Sequence, residues 1–240
     1  MKTGLIILFA VLFSADAYGM DIRETKVVAT VTADYGLQKD MDGPFVWTGS
    51  LKAGERVEVL RDYSEKWYLV RSLKTDASGW VRKGSLHIPA DTRSNKSRLT
   101  KEKLETYVNS AGFWSDTDYF ILTDTDRQLV HIFRGGKRAW GLDRTFVCAT
   151  GKNASPTVRG LFKTGESGDR FFSERLKSGG RYWTRFFGPY LFHSLPTDRD
   201  GNVTDATLGE RCSNGCIRLS VADAEWIYRN IPAGTGVFIT

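Results

Sequence analysis

The chain is poor in the residues on which metal and disulfide chemistry depend, for its 240 residues include three cysteines and three histidines. His87, His131 and His193 show no ligand spacing. The acidic run Asp198-Arg199-Asp200-Gly201-Asn202 lacks the full order of a calcium loop and reads as a solvent turn. No metal site and no cofactor are therefore expected. There is no block of lysine and arginine and no nucleic-acid module, so nucleic acid is not an expected partner. Internal repeats and low-complexity tracts are absent too. The longest apolar stretch near the start, Leu5 to Phe13, falls short of the about 20 residues a membrane-spanning helix needs.

That short stretch has another use. Lys2 precedes it, and Ala15-Asp16-Ala17-Tyr18-Gly19 follows with small residues at the spacing a signal peptidase accepts, so residues 1–19 read as a cleaved secretory signal. The competing reading, a membrane anchor, suffers from the length; no stable span is expected after cleavage. The mature protein is then secreted or held in the cell envelope, in the periplasm or wall. Formal net charge is +6, and loss of Lys2 with Asp16 leaves the balance unchanged. Outside the cytoplasm such a surface suits anionic wall polymers, although a plain solvated surface explains it equally.

In an exported chain an odd cysteine count leaves at least one thiol free or paired between molecules. Cys148 lies in an apolar segment and Cys212 close to Cys216. A Cys148–Cys212 bridge is one arrangement and two unpaired thiols the other, the second being the expectation. A Cys212–Cys216 bridge would block any chemistry at Cys216 until reduced.

Between Lys26 and Pro89 short β-rich runs alternate with Gly, Asp and Ser turns: Val27 to Val31, Glu55 to Leu60, Trp67 to Arg71, and Gly79-Trp80-Val81. This spacing predicts a small barrel. Leu51-Lys52-Ala53-Gly54-Glu55, Trp67-Tyr68-Leu69-Val70 and Gly79-Trp80-Val81 together resemble a bacterial SH3-like domain, here 26–89. The resemblance implies binding of wall peptides or a spacer role, and Trp47, Trp67 and Trp80 serve either a groove or the packing. Residues 90–98 lack apolar periodicity and read as a linker. A short helix over Lys101 to Ser110 follows, capped by Thr100 and stopped by Gly112, with Leu104, Tyr107 and Val108 on one face; linker and helix together occupy 90–116.

From Asp118 onward strands resume. Tyr119 to Thr123 and Gln128 to Phe133 flank the turn Asp124 to Arg127 as a hairpin, followed by Thr145 to Gly151 and Gly160 to Lys163. Sequential strands with little helix predict a mainly β chain whose second part is an antiparallel sandwich with a few short helices. A last helix is expected from Ser220, whose Ser-Val-Ala-Asp start is a capping box with Asp in the Glu place, to about Asn230, before Pro232.

Chemistry concentrates in Ser213-Asn214-Gly215-Cys216-Ile217-Arg218-Leu219 and in His193-Ser194 on a strand-like segment. A cysteine after glycine can act as a nucleophile, with the N–H groups of Gly215 and Cys216 facing a developing oxyanion. His87 and His131 belong to earlier strand-like segments, which leaves His193 to take the thiol proton.

These residues carry a resemblance. Residues 117–240 resemble an L,D-transpeptidase catalytic domain, the YkuD family, whose pattern is an upstream His, commonly followed by Gly or Ser, and then Ser/Thr-His-Gly-Cys with a hydrophobic residue and Arg or Asn. His193-Ser194 and Ser213 to Arg218 match it, as do Cys148-Ala149-Thr150-Gly151, Pro156-Thr157 with Gly160 and Phe162, and the helix from Ser220 to Pro232. Asn214 departs from the pattern, standing where a second histidine is usual. It can shape the turn by hydrogen bonds but carries no proton near neutral pH.

The resemblance implies that Cys216 attacks the carbonyl joining an L-configured centre to D-alanine in a peptidoglycan tetrapeptide stem. D-alanine leaves, and an amine of another stem takes the acyl group in a cross-link. With water as acceptor the same site is an L,D-carboxypeptidase; with no chemistry at all, as Asn214 would allow, the chain is a wall-binding protein. In this scheme Ser194 or a backbone carbonyl orients His193. Arg218 either anchors a substrate carboxylate or supports the loop, Tyr190 either lines the pocket or packs in the core, and Ser213 stabilises the turn. The Arg and aromatic residues of 166–188, among them Arg170-Phe171-Phe172, form either a lid or a packed hairpin.

Overall fold

The computed structural model describes residues 22–240 apart from 43, 45 and 65, so the signal reading at 1–19 lies outside the described residues. The chain is mainly β, with two α-helices among the described residues.

The first sheet comprises β1 (Val27–Val31), β2 (Tyr35–Gln38), β3 (Trp47–Leu51), β4 (Arg56–Tyr63), β5 (Trp67–Ser72), β6 (Ser78–Arg82) and β7 (Leu86–His87), in the order β3-β2-β6-β5-β4-β1-β7. Every pairing is antiparallel. Strict alternation explains the single core: in β5 Tyr68, Val70 and Ser72 are buried while Trp67, Leu69 and Arg71 are not. Val27, Ala29, Val31, Leu37, Leu51, Val57, Val59 and Val81 complete that core. Strands β2 and β3 escape a reading by β-propensity. Gly36 leaves room for the Trp47 ring across the pair, since a Cβ there would come within 2.3 Å of it.

Helix α1 (Lys101–Ser110) has the expected bounds. Thr100 caps it by accepting from the Lys103 amide, and Gly112 ends it at φ +67°. Leu104 and Val108 bury its apolar face against Phe113, Phe120, Phe133 and Trp140.

The second sheet holds β8 (Tyr119–Asp124), β9 (Leu129–Arg134), β10 (Gly141–Gly151), β11 (Gly160–Lys163), β12 (Ser167–Ser173), β13 (Ser178–Phe187), β14 (Tyr190–Ser194), β15 (Arg211–Ser213), β16 (Ile217–Leu219) and β17 (Gly236–Ile239). Its order is β11-β17-β8-β9-β10-β16-β14-β13-β12, with β15 beside β10. The hairpin at 119–134 is present. An all-antiparallel second unit is not: β8 pairs β17, β10 pairs β15 and β14 pairs β16 in parallel. Long crossovers bring these partners together, and strand propensity carries no information about direction. The helix α2 (Val221–Asn230), capped by Ser220 through the Asp223 amide, closes the core with Ala224 and Ile227 against Phe192, Ile217 and Leu219. Each such fully buried side chain contributes about 1.5–3 kcal/mol relative to exposure.

No helix among the described residues is long and apolar enough to cross a membrane.

Candidate active site

The parallel pairing of β14 with β16 assembles the site. Its register sets Phe192 against Ile217, His193 against Arg218 and Ser194 against Leu219. Phe192, Ile217 and Leu219 turn into the core, so by the two-residue period His193 and Arg218 share the other face of adjacent strands, with Cys216 immediately before β16. His193 and Arg218, 25 positions apart in sequence, are thereby paired.

Cys216 ends a tight turn. Gly215 takes φ +101°, and a Cβ on it would fall 2.5 Å from Tyr190 Cε1, so both backbone and space require glycine. Ser213 ties the turn: its hydroxyl donates to the Cys216 carbonyl at 2.5 Å and accepts from the Gly215 amide at 3.1 Å. The second bond engages within the turn the Gly215 N–H that was expected from the sequence to face an oxyanion. Thr157, not among the residues singled out from sequence, donates to the Gly215 carbonyl at 2.8 Å and accepts from Gly151 N–H at 2.8 Å.

The thiol of Cys216 points to the Pro189 carbonyl, with Sγ 3.7 Å from the oxygen. Burial raises its pKa above the ordinary 9.0, while the Leu191 amide, Arg218 and Arg185 pull it down by less. His193 is buried, and its pKa falls to about 4, first through burial, opposed by a backbone hydrogen bond to Ser194 and assisted by Arg218. Both shifts favour the uncharged forms, a thiol at Cys216 and an imidazole at His193, over the thiolate and imidazolium of a pre-ionised cysteine site.

His193 Nδ1 is buried without a hydrogen-bond partner. A Cβ on Gly180 of β13 would sit 2.8 Å from that nitrogen, and the Phe171 ring meets the imidazole edge-on at 5.1 Å. Gly180 and Phe171 are thus neighbours of His193 that no sequence motif marks. Ser194 does not orient the ring through its hydroxyl, which accepts from the Arg181 amide and donates to the Leu195 carbonyl. Ser194 lies on the opposite sheet face from His193, which is why.

Arg218 supports the loop. Its Nη1 donates to Asp205 Oδ2 at 2.8 Å and lies 3.6 Å from Cys212 Sγ. Tyr190 is 4% exposed and packs in the core against Phe186 and Phe187, with burial pushing its hydroxyl pKa up. Asn214 is half-buried, and its side chain makes no hydrogen bond among the described residues. All three cysteines are free. The residues 167–187 form a paired hairpin whose Phe186 belongs to the core and whose Phe172 lies under Arg199, so packing describes these aromatics better than a loose lid. Among the described residues no group of three or more His, Cys, Asp or Glu side chains could hold a metal ion.

Comparison with known proteins adds the following. Residues 118–239 match the family model for the YkuD L,D-transpeptidase catalytic domain. YciB of Bacillus subtilis (strain 168), assigned by name to the L,D-transpeptidases, is 42% identical over 105 residues, which is 42% of this chain and 51% of that protein. The chain thus spans about half the length of this curated relative. Among solved structures, a fused Zn-dependent amidase/peptidase/peptidoglycan-binding domain-containing protein from Clostridium acetobutylicum ATCC 824 is 34% identical, with 68% of this chain and 76% of that chain covered and a TM-score of 0.51. An L,D-transpeptidase from Mycobacterium tuberculosis H37Rv is 21% identical over 51% of this chain and 57% of that chain, with a TM-score of 0.43. With the family model matching half of its length, the chain belongs to the YkuD L,D-transpeptidase catalytic domain family.

Proposed function

We propose that the protein is an exported cysteine L,D-transpeptidase that cross-links or remodels peptidoglycan through an acyl-enzyme on Cys216. The observation that carries this reading is the register of β14 on β16, which sets His193, a histidine held neutral by burial, against Arg218, two residues beyond Cys216. In the reaction the thiol turns from Pro189 O toward the imidazole. As sulfur bonds to the carbonyl of the residue preceding D-alanine, His193 takes the thiol proton. Collapse of the tetrahedral intermediate breaks the bond to D-alanine nitrogen, and the imidazolium returns the proton to the departing amine. The amine of a second stem then attacks the thioester and frees Cys216.

Gly215 N–H is held by Ser213, so the oxyanion falls to the Cys216 amide of the pair named from sequence. Arg218 acts on this chemistry through charge: it favours the thiolate and keeps the imidazole from protonating early. The first sheet is read as an SH3-like module and residues 1–19 as the export signal, with anionic wall polymers as a further partner of the basic surface.

Incubation with purified tetrapeptide muropeptides, analysed by mass spectrometry, tests the reading. Cross-linked dimers with loss of D-alanine are the expected products. Tripeptides without dimers assign the protein to L,D-carboxypeptidases, and no product with no adduct on folded, reduced protein assigns it to wall binding alone.

A further inference from the structure

The loop between β10 and β11, residues 152–159, touches the nucleophile turn on one side and the first sheet on the other. Toward the turn, Thr157 bonds the Gly215 carbonyl, Lys152 N–H donates to Ser213 O at 3.1 Å, and Pro156 O packs where Gly215 has no Cβ. Toward the first sheet and the segment after β7, four loop residues, Asn153, Ala154, Ser155 and Arg159, have polar ties. Asn153 donates through Nδ2 to the carbonyls of Pro89 and Ala90, and its amide donates to Asp91 Oδ1 at 2.5 Å. Tyr68 of β5 donates its hydroxyl to Ala154 O at 2.9 Å, and Ser155 donates to Asp62 Oδ1 of β4 at 2.5 Å.

Glu58 of β4 has a side chain with no exposure and is shared between Arg71 of its own sheet and Arg159 of the loop. A buried carboxylate flanked by two guanidinium groups holds one geometry, because breaking either contact leaves charge uncompensated out of water. Val158 sets one end of the loop in the core of the second sheet. Asn153, Ser155 and Thr157 are all buried to 5% exposure or less, and buried hydroxyl and amide groups keep their positions through their hydrogen bonds.

We propose that the first sheet is a working part of the catalytic centre, in which Glu58, Asp62 and Tyr68 are positioning residues that fix loop 152–159 and, through Thr157, the turn that presents Cys216. The proposal rests on the transpeptidase reading above for its kinetic consequence. A module that served only as a tether to the wall would leave the chemistry of Cys216 untouched. A positioning module sets it, since displacement of reacting groups by about 1 Å costs up to about 100-fold in rate.

The test uses full-length Tyr68→Phe and Ser155→Ala, which each remove one hydroxyl from the contact, with Lys52→Ala at an exposed ion pair of the same sheet as the control. Three quantities are measured: thermal midpoint, kcat and KM on a soluble tetrapeptide muropeptide, and the pH midpoint of Cys216 alkylation by iodoacetamide, read on the Cys216 peptide. Ser155→Ala is expected to remain folded, to lose about 10-fold in kcat with KM within about 2-fold, and to alkylate with a midpoint moved down toward an ordinary thiol, as the loosened turn admits water. Lys52→Ala changes none of these. Folded Tyr68→Phe and Ser155→Ala proteins with parental kcat and parental alkylation midpoint would overturn the proposal. If the parent turns over no muropeptide, the transpeptidase reading fails by itself, and the alkylation midpoint still decides the positioning claim.

Discussion

Cys216 and His193 are poised in their neutral forms, and each owes this to burial exceeding the nearby charges. Arg218 and Arg185 favour a thiolate, yet desolvation of Cys216 outweighs both. His193, with its pKa near 4, is free to accept a proton at neutral pH. The rate of Cys216 alkylation is accordingly expected to climb with pH through neutrality toward and beyond the ordinary thiol value, with no plateau beginning at about pH 5 of the kind an ion pair gives. Such a plateau, measured with iodoacetamide on the Cys216 peptide, would show that the thiol is ionised at rest. Asn214, where a second histidine is usual in the family pattern, adds no titrating group to this pair.

At the level of elements, the turn 213–216 is the most constrained piece of backbone at the site. Gly215→Ala would need φ +101° in an L-residue and would drive a methyl group into Tyr190. That variant is expected to lose acyl transfer by at least about 100-fold while the sheet cores persist, as far-UV circular dichroism and a muropeptide assay would reveal; parental turnover would contradict this account of the turn. Much of the arrangement was legible in the sequence. Thr100 and Ser220 mark their helices because a capping hydroxyl acts within three residues, and the 119–134 hairpin follows from local alternation around a turn. Cys216 and His193 were singled out as candidate nucleophile and base from Gly215-Cys216 and from the scarcity of histidine. Distant contacts were not. The parallel pairings, the Gly180 notch beside His193 and the Thr157 bond to Gly215 arise between segments far apart in the chain, where no local pattern records them. The motif likewise does not record that Ser213, two residues away, accepts from the Gly215 N–H expected to face an oxyanion.

Across the whole molecule, two modules with separate apolar cores are joined mainly by polar contacts at loop 152–159. Both buried histidines of the second sheet carry pKa values lowered to about 4 by burial. The unfolded chain therefore binds protons below about pH 6.5 that the native state refuses until about pH 4, so stability is complete above that window and falls as pH drops through it. The upper bound on the slope is about 1.4 kcal/mol per pH unit for each histidine. His131→Asn, which leaves the candidate active site intact, is expected to lose less of its thermal midpoint than the parent between neutral pH and pH about 4.5; an equal or greater loss would rule out His131 as a source of acid sensitivity. The central claim is a covalent bond at one sulfur. Intact-mass measurement of the reduced protein quenched during reaction with a tetrapeptide donor, followed by peptide mapping, tests it most directly. The account predicts a stem-peptide adduct lacking the terminal D-alanine on Cys216, absent from a folded Cys216→Ala protein; turnover that persists in Cys216→Ala, or an adduct mapped elsewhere, would contradict it.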